Sequence, residues 1–379
     1  MRLLLRPALA GLVLAGFTGA CGKDAIAPKS LADPQATTAQ LASLDTIFNA
    51  AVLHSFSAVS GSIQPTAQAP VPALALVGAL NPLTRSPELR PYARRIEGAR
   101  VFGQVIPQRS SSLMAALLPP ALMGKTFEWN FTTLQYDTTA RAGAPATGVR
   151  FILYAINDLT GSPAEPAVEV GYLDLIDESG TGAPKVHVIV AGVGGTPVYV
   201  NYTVSLASQS VNYVITTVGY ITNGAASPDS VRFSGAVTAS GSETSLSVTE
   251  DVSFDVNSHD IHVRNWQRIT LTQTTVSLRI SFRFEHGGEV VTLEGTLDVD
   301  ETAGTVTGTI VAKVDGGLFA TCTVTGTSTT YSLTCTGADG DGLNANEVEA
   351  LHHLGDAVES IGSMFEGILT PVIGVLGGA

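Results

Sequence analysis

Between about residue 124 and residue 338 the chain alternates apolar and polar side chains in short runs broken by glycine-rich turns, and no other feature limits its fold so tightly. Val276, Leu278, Ile280, Phe282 and Phe284 fall on one side of such a run, with Ser277, Arg279, Ser281, Arg283 and Glu285 on the other. Val291, Leu293, Leu297 and Val299 alternate in the same way with Thr292, Glu294, Thr296 and Asp298. A period of two is the mark of a strand with one face in a core and one in water. Turn signals punctuate the runs at Gly194-Gly195, Asn223-Gly224, His286-Gly287-Gly288, Ala303-Gly304 and Asp315-Gly316-Gly317. Connections this short force neighbouring strands to be antiparallel, because a parallel pair needs a long crossover.

The pattern predicts a first strand from about Thr126, where Phe127, Trp129 and Phe131 alternate with polar residues. Further strands are expected near 148–157, 167–176, 185–192, 197–206, 210–221, 229–238, 244–256, 259–272, 275–285, 289–299, 305–314, 318–325 and 330–337. No helical period lies between them, so a meander is the simplest topology. So many strands do not stay flat in one sheet. The expected fold class is therefore mainly β: a large curled antiparallel meander, a half-barrel or a two-layer sheet, with N-terminal and C-terminal helices packed on it. Val149 to Ile156 is apolar on both faces, which calls for such a cover.

The flanks read differently. From Thr37 to Ser57, Leu41, Leu44, Ile47, Phe48, Ala51, Val52 and Phe56 recur at helical steps, with His54 on the same helix. Residues 58–84 are rich in Ser, Pro, Gly and Ala. Residues 85–109 hold six arginines (Arg85, Arg90, Arg94, Arg95, Arg100, Arg109), read as partners for acids on an acidic protein. After Gly342, Val348, Leu351, Leu354, Val358, Ile361, Met364, Phe365 and Ile368 line one helical face, and Pro371 stops it. The expected organisation is a signal peptide over 1–20, a lipid-bearing residue and tether over 21–36, a helical and Pro-rich wrapping segment over 37–123, an antiparallel β domain over 124–338 and a C-terminal helix over 339–379.

The first twenty residues have the three parts of an export signal. Arg2 and Arg6 supply the positive end, Ala8 to Phe17 is an apolar stretch too short to span a bilayer, and Thr18-Gly19-Ala20 leads to Cys21. This arrangement resembles the lipobox of bacterial lipoproteins. The resemblance implies cleavage before Cys21, acylation of Cys21, and, with Gly22 rather than Asp following, sorting to the outer membrane. Each acyl CH₂ buried contributes about 0.8 kcal/mol, so the lipid would be the firm membrane contact. Localisation is expected to be exported and lipid-anchored at the outer membrane or cell envelope.

With Cys21 acylated, Cys322 and Cys335 remain of 3 cysteines. They sit on two runs that read as arms of one hairpin. Pairing them also pairs Val324 with Leu333 and Gly326 with Tyr331, around a turn from Thr327 to Thr330. A disulfide between Cys322 and Cys335 is expected in an oxidising compartment.

Motifs for chemistry are few. His259 and His262 flank Asp260, but residues three apart on a strand point to opposite faces. His352 and His353 diverge on a helix. Gly192-Val193-Gly194-Gly195 lacks a following helix and reads as a turn. The run Asp339, Asp341, Asn344, Glu347 resembles a fragment of a helix-entry calcium loop. It departs from that pattern in having Gly337 at the first ligand position and its Glu one residue early. Turn chemistry and a capping box, Asn344 with Glu347, explain all of these residues, so no metal and no cofactor is expected.

The formal net charge of −13 disfavours nucleic acid as a partner. Nothing in the sequence points to an enzyme. The expected function is a membrane-anchored envelope lipoprotein binding an apolar or amphiphilic ligand. The architecture is comparable, at the level of fold alone, to the lipoprotein-localisation carriers. The alternative is a structural or protein-interaction module of the envelope.

Overall fold

The computed structural model describes residues 29–37, 39, 55–56, 59, 118–157, 160–180, 183–209, 212–225, 230–242, 244–256, 260–300, 302–327, 331–340, 342–351, 353–354, 368 and 372. Cys21, His54, His259, Asp341, His352 and the arginine-rich segment 85–109 lie outside them.

The strands form one sheet. In chain order they are β1 (Lys125–Asn130), β2 (Gln135–Thr139), β3 (Gly148–Tyr154), β4 (Glu169–Asp177), β5 (Lys185–Gly192), β6 (Val198–Gln209), β7 (Asn212–Thr222) and β8 (Ser230–Gly241). Then follow β9 (Ser245–Val256), β10 (Ile261–Thr272), β11 (Thr275–His286), β12 (Glu289–Asp300), β13 (Thr305–Val314), β14 (Gly317–Thr327) and β15 (Tyr331–Gly337). The sheet has 15 strands, and its order follows the chain from β3 to β15 as an antiparallel meander. It is not closed: β15 is one edge and β2 the other. Turn chemistry explains the meander. At Asp315-Gly316 both residues take positive φ, 46° and 79°, the geometry that matches the twist of a two-residue hairpin.

One end departs from the expected meander. β2 is an additional strand, and β1 lies between β2 and β3, pairing with β2 antiparallel and with β3 parallel. The connection over 140–147 is long enough to cross to the far side of β1, which a two-residue hairpin turn is not. β2 reads QYDTT and offers one apolar side chain, so it carries no alternation to detect.

Strands β8 to β12 are 12 residues each, about 40 Å at 3.3 Å per residue. Their two faces are sharply different. In β11, Val276, Leu278, Ile280, Phe282 and Phe284 are buried, while Arg279 and Arg283 are exposed. The buried face of all strands, the inner face, forms one apolar cluster running from Val149 on β3 to Val324 on β14. Leu31, Phe56, Val59, Leu118, Ala350, Leu354, Ile368 and Val372 are buried in the same cluster.

The flexible tether expected over 22–36 gives way to docked chain from Lys29 onward. The Lys29 backbone N–H donates to the Leu318 carbonyl (3.0 Å), its ammonium meets Asp315 (3.1 Å), and the Ala32 N–H donates to Glu289. Helix also begins before the expected Thr37. Residues 34–37 are helical, and Asp33 caps them by accepting from the Gln35 and Ala36 amides.

Candidate ligand-binding face

Register places the inner-face side chains in rows that cross the sheet. One row runs Ile215–Val237–Glu250–Gln267–Ile280–Gly295–Ile310, from β7 to β13. The adjacent row runs Thr217–Gly235–Val252–Asn265–Phe282–Leu293–Ala312. Both are apolar except at their centre, where Glu250, Asn265 and Gln267 form a polar stripe, and at the β7 end of the second row, where Thr217 stands. Asn265, Gln267 and Thr217 are 2%, 1% and 3% exposed.

This stripe is partly self-satisfied. Gln267 Nε2 donates to Glu250 Oε2 across the β9–β10 ladder. Among the described residues Asn265 Oδ1 and Thr217 Oγ1 have no hydrogen-bond partner, and the same holds for Ser55 Oγ, which is fully buried. Each such atom costs about 1–3 kcal/mol relative to a bonded one. The sequence carries a signal for the stripe. Along β10 the inner positions read Ile261, Val263, Asn265, Gln267, Ile269, Leu271, with two amides where the period of two demands apolar residues.

Toward the β1 end the inner face becomes aromatic. Phe127 stacks on Phe151 (4.7 Å between centroids), and Tyr136 sits edge-on to both Trp129 and Phe151 (5.4 Å each). Burial raises the Tyr136 hydroxyl well above its usual range, and it donates to the Ile152 carbonyl (2.9 Å). Trp129 Nε1–H is buried without an acceptor among the described residues. Midway along the sheet, Tyr202 lies against Gly219, where a Cβ would stand 2.3 Å from the Tyr202 Cβ. That close approach brings the Tyr202 ring to 5.8 Å from Phe233. Full burial raises the Tyr202 hydroxyl well above its ordinary value, and it donates to the Ile368 carbonyl.

The other candidate residues divide between structural and surface roles. Cys322 and Cys335 face each other on β14 and β15 and form a disulfide, with Val324 opposite Leu333 and Gly326 opposite Tyr331 as expected. Asn344 and Glu347 bond each other at the start of the C-terminal helix. The Asn344 N–H donates to Glu347 Oε2 and the Glu347 N–H donates to Asn344 Oδ1, both at 3.0 Å, the reciprocal bonds of a capping box. Asp339 is exposed in the turn before them. Among the described residues no group of three or more His, Cys, Asp or Glu is placed to hold a metal ion. His262 lies on the outer face. Its Nδ1 is 2.6 Å from Asp255, whose hydrogen bond raises its pKa above the ordinary value. Gly192 to Gly195 is a single 3-10 turn between β5 and β6.

Comparison with protein-family models, with curated proteins and with solved structures finds no match to this chain.

Proposed function

We propose that the chain is an exported lipoprotein, acylated at Cys21 and held at the outer membrane or cell envelope, whose inner sheet face takes an apolar or amphiphilic molecule. The observation that carries this reading is Asn265 Oδ1, buried at the centre of an otherwise aliphatic and aromatic face and without a hydrogen-bond partner among the described residues. A few polar groups set in an apolar wall are how ligand sites fix orientation. A ligand head that donates a hydrogen bond satisfies Asn265, and its tail follows the rows of Val, Ile, Leu and Phe. Strands twist by about 20° each, so a sheet of this width curls, and a half-barrel supplies the enclosure. The terminal helices act as the lid in this reading, which accords with the burial of Phe56, Leu354, Ile368 and Val372 in the inner cluster.

A second reading has one observation in its favour. Tyr202 is hydrogen-bonded to the Ile368 carbonyl, a contact that favours C-terminal chain lying against the inner face. If the terminal segments fill that face, the protein is a structural or protein-interaction module of the envelope.

A fluorescent long-chain fatty acid titrated into the folded protein separates the two. Saturable binding that weakens about tenfold in Asn265→Leu supports the ligand reading. Fluorescence that never saturates supports the structural module. For the anchor, labelled palmitate should enter the parent chain and not Cys21→Ala, and equal labelling of both would remove the lipoprotein reading.

A further inference from the structure

The outer face of β8–β15 carries a feature that sheet stability does not explain. Arg264 on β10 stands directly opposite Arg283 on β11, and Arg268 directly opposite Arg279. Like charges facing each other across a ladder are destabilising, yet two such pairs occur side by side on a chain of net charge −13. Trp266 lies between them on β10, with the Arg268 guanidinium 5.5 Å from its ring centroid. Three of the nearby acids already have partners. Asp251 takes Arg264 in a fork (3.0 and 2.8 Å), Glu285 takes Arg283 (2.7 Å) and Glu294 takes Lys313 (2.9 Å). Among the described residues the Arg268 guanidinium donates to the Thr249 hydroxyl (3.2 Å) and meets no carboxylate. Among the described residues Arg279 has no carboxylate partner, although Asp298 lies one register step away.

The surroundings of these two guanidiniums are hydroxyls. Their cross-sheet row reads Thr238–Thr249–Arg268–Arg279–Thr296–Thr309–Thr323–Thr334, from β8 to β15. The row beside it reads Ser240–Ser247–Thr270–Ser277–Asp298–Thr307–Thr325–Ser332. A groove of about 330 Å³ opens in that second row and the strand ends below it, lined by Ser277, Asp298, Asp300, Thr305 and Thr307.

We propose that this face binds an anionic polysaccharide laid across the strands, with its carboxylate or sulfate groups on Arg268 and Arg279 and a sugar ring against Trp266. A guanidinium fork can donate two parallel N–H bonds to paired oxygens of a carboxylate or a sulfate. The apolar face of a pyranose suits an indole. Threonine and serine hydroxyls, with the Asp298 and Asp300 carboxylates as acceptors in the groove, suit sugar hydroxyls. Strands about 4.8 Å apart offer one side chain per step, on the scale of one sugar unit. A polyphosphate fits less well, since it offers no hydroxyls to the Ser and Thr rows and no apolar ring face to Trp266. A membrane surface fits poorly as well, since this face presents hydroxyls and charges with no apolar row to insert. A peptide strand would add to an edge rather than to a face. The proposal is independent of what the inner face holds.

Calorimetric titration of the folded protein with galacturonate oligomers and with heparin-derived oligosaccharides tests it. The parent is expected to bind at least one of them, and Arg279→Gln to weaken that binding by about tenfold or more, as expected for loss of a charge-assisted bond. Arg279→Thr, which continues the hydroxyl row, is expected to match or exceed the parent in Tm while losing the same affinity. A merely structural arginine would lower Tm instead. Failure of both probes to bind, or binding unchanged in the Arg268→Gln/Arg279→Gln double variant, overturns the proposal. So does capture on anionic phospholipid vesicles through the same arginines with no oligosaccharide binding.

Discussion

Two regions of the same sheet carry the same ion pair in opposite settings. At β3–β5 both faces are covered: Leu153, Leu173, Leu175 and Val188 are buried on the inner side, and Ile152, Asp174 and Ala191 on the outer. At β9–β12 only the inner side is. Arg150 forks onto Asp174 at 2.7 and 2.8 Å, and Arg264 onto Asp251 at 3.0 and 2.8 Å. Side-chain exposure is 19% and 8% for the first pair, and 61% and 39% for the second. Geometry is nearly shared, so burial decides what each pair contributes. A buried carboxylate cannot lose its guanidinium without leaving charge in poor solvent, whereas water replaces an exposed partner.

The greatest loss is expected within the doubly covered region itself. Leu173→Ala on β4, at a fully buried site, should cost about 2–5 kcal/mol by denaturant melting, whereas Val218→Ala, on the exposed side of β7 at 58%, should cost under about 0.5 kcal/mol. Next comes the β14–β15 end. Replacing Cys322 and Cys335 by Ser opens a loop with 13 residues of separation and should cost about 3 kcal/mol, read as a lower denaturation midpoint in the oxidised protein.

The ion pairs probe the same contrast directly. Asp174→Asn should cost about 2 kcal/mol, because Arg150 stays behind, half-buried and 3.6 Å above the Tyr172 ring. Asp251→Asn should cost no more than about 0.5 kcal/mol. Equal losses would mean that burial does not separate the two regions. The weakest contribution is that of His262. Asp255 raises its pKa, so its contribution to stability is present below the unfolded value of about 6.5 and is lost as pH rises through the folded value. An NMR titration of the imidazole should give a midpoint above about 6.5 that falls in Asp255→Asn.

How much of this the chain announces depends on whether the cause is local. The β8–β15 strands and the Cys322–Cys335 register follow from alternation and turn residues, which act within a few positions. β2 is hidden because Tyr136 is its single apolar residue. The parallel β1–β3 pair is hidden because nothing in 140–147 states which side of β1 the chain will pass. Docking of Lys29 to Asp315 spans 286 residues and has no local mark. The facing arginines need register: alternation turns Arg279 and Arg283 outward, but only the β10–β11 ladder sets them against Arg268 and Arg264. Of the candidate site, Asn265 and Gln267 are legible as breaks in the β10 alternation, while their burial and the missing partner of Asn265 depend on what packs over them.

Whether the inner face holds an amphiphile is decided by solvent extraction of the Cys21→Ala protein, purified without detergent, with no anchor lipid to confuse the result. Mass spectrometry of the extract should show an apolar molecule at about one per chain, reduced in Asn265→Leu. An extract empty of such molecules, from a protein that also fails to take up added fatty acid, would contradict it.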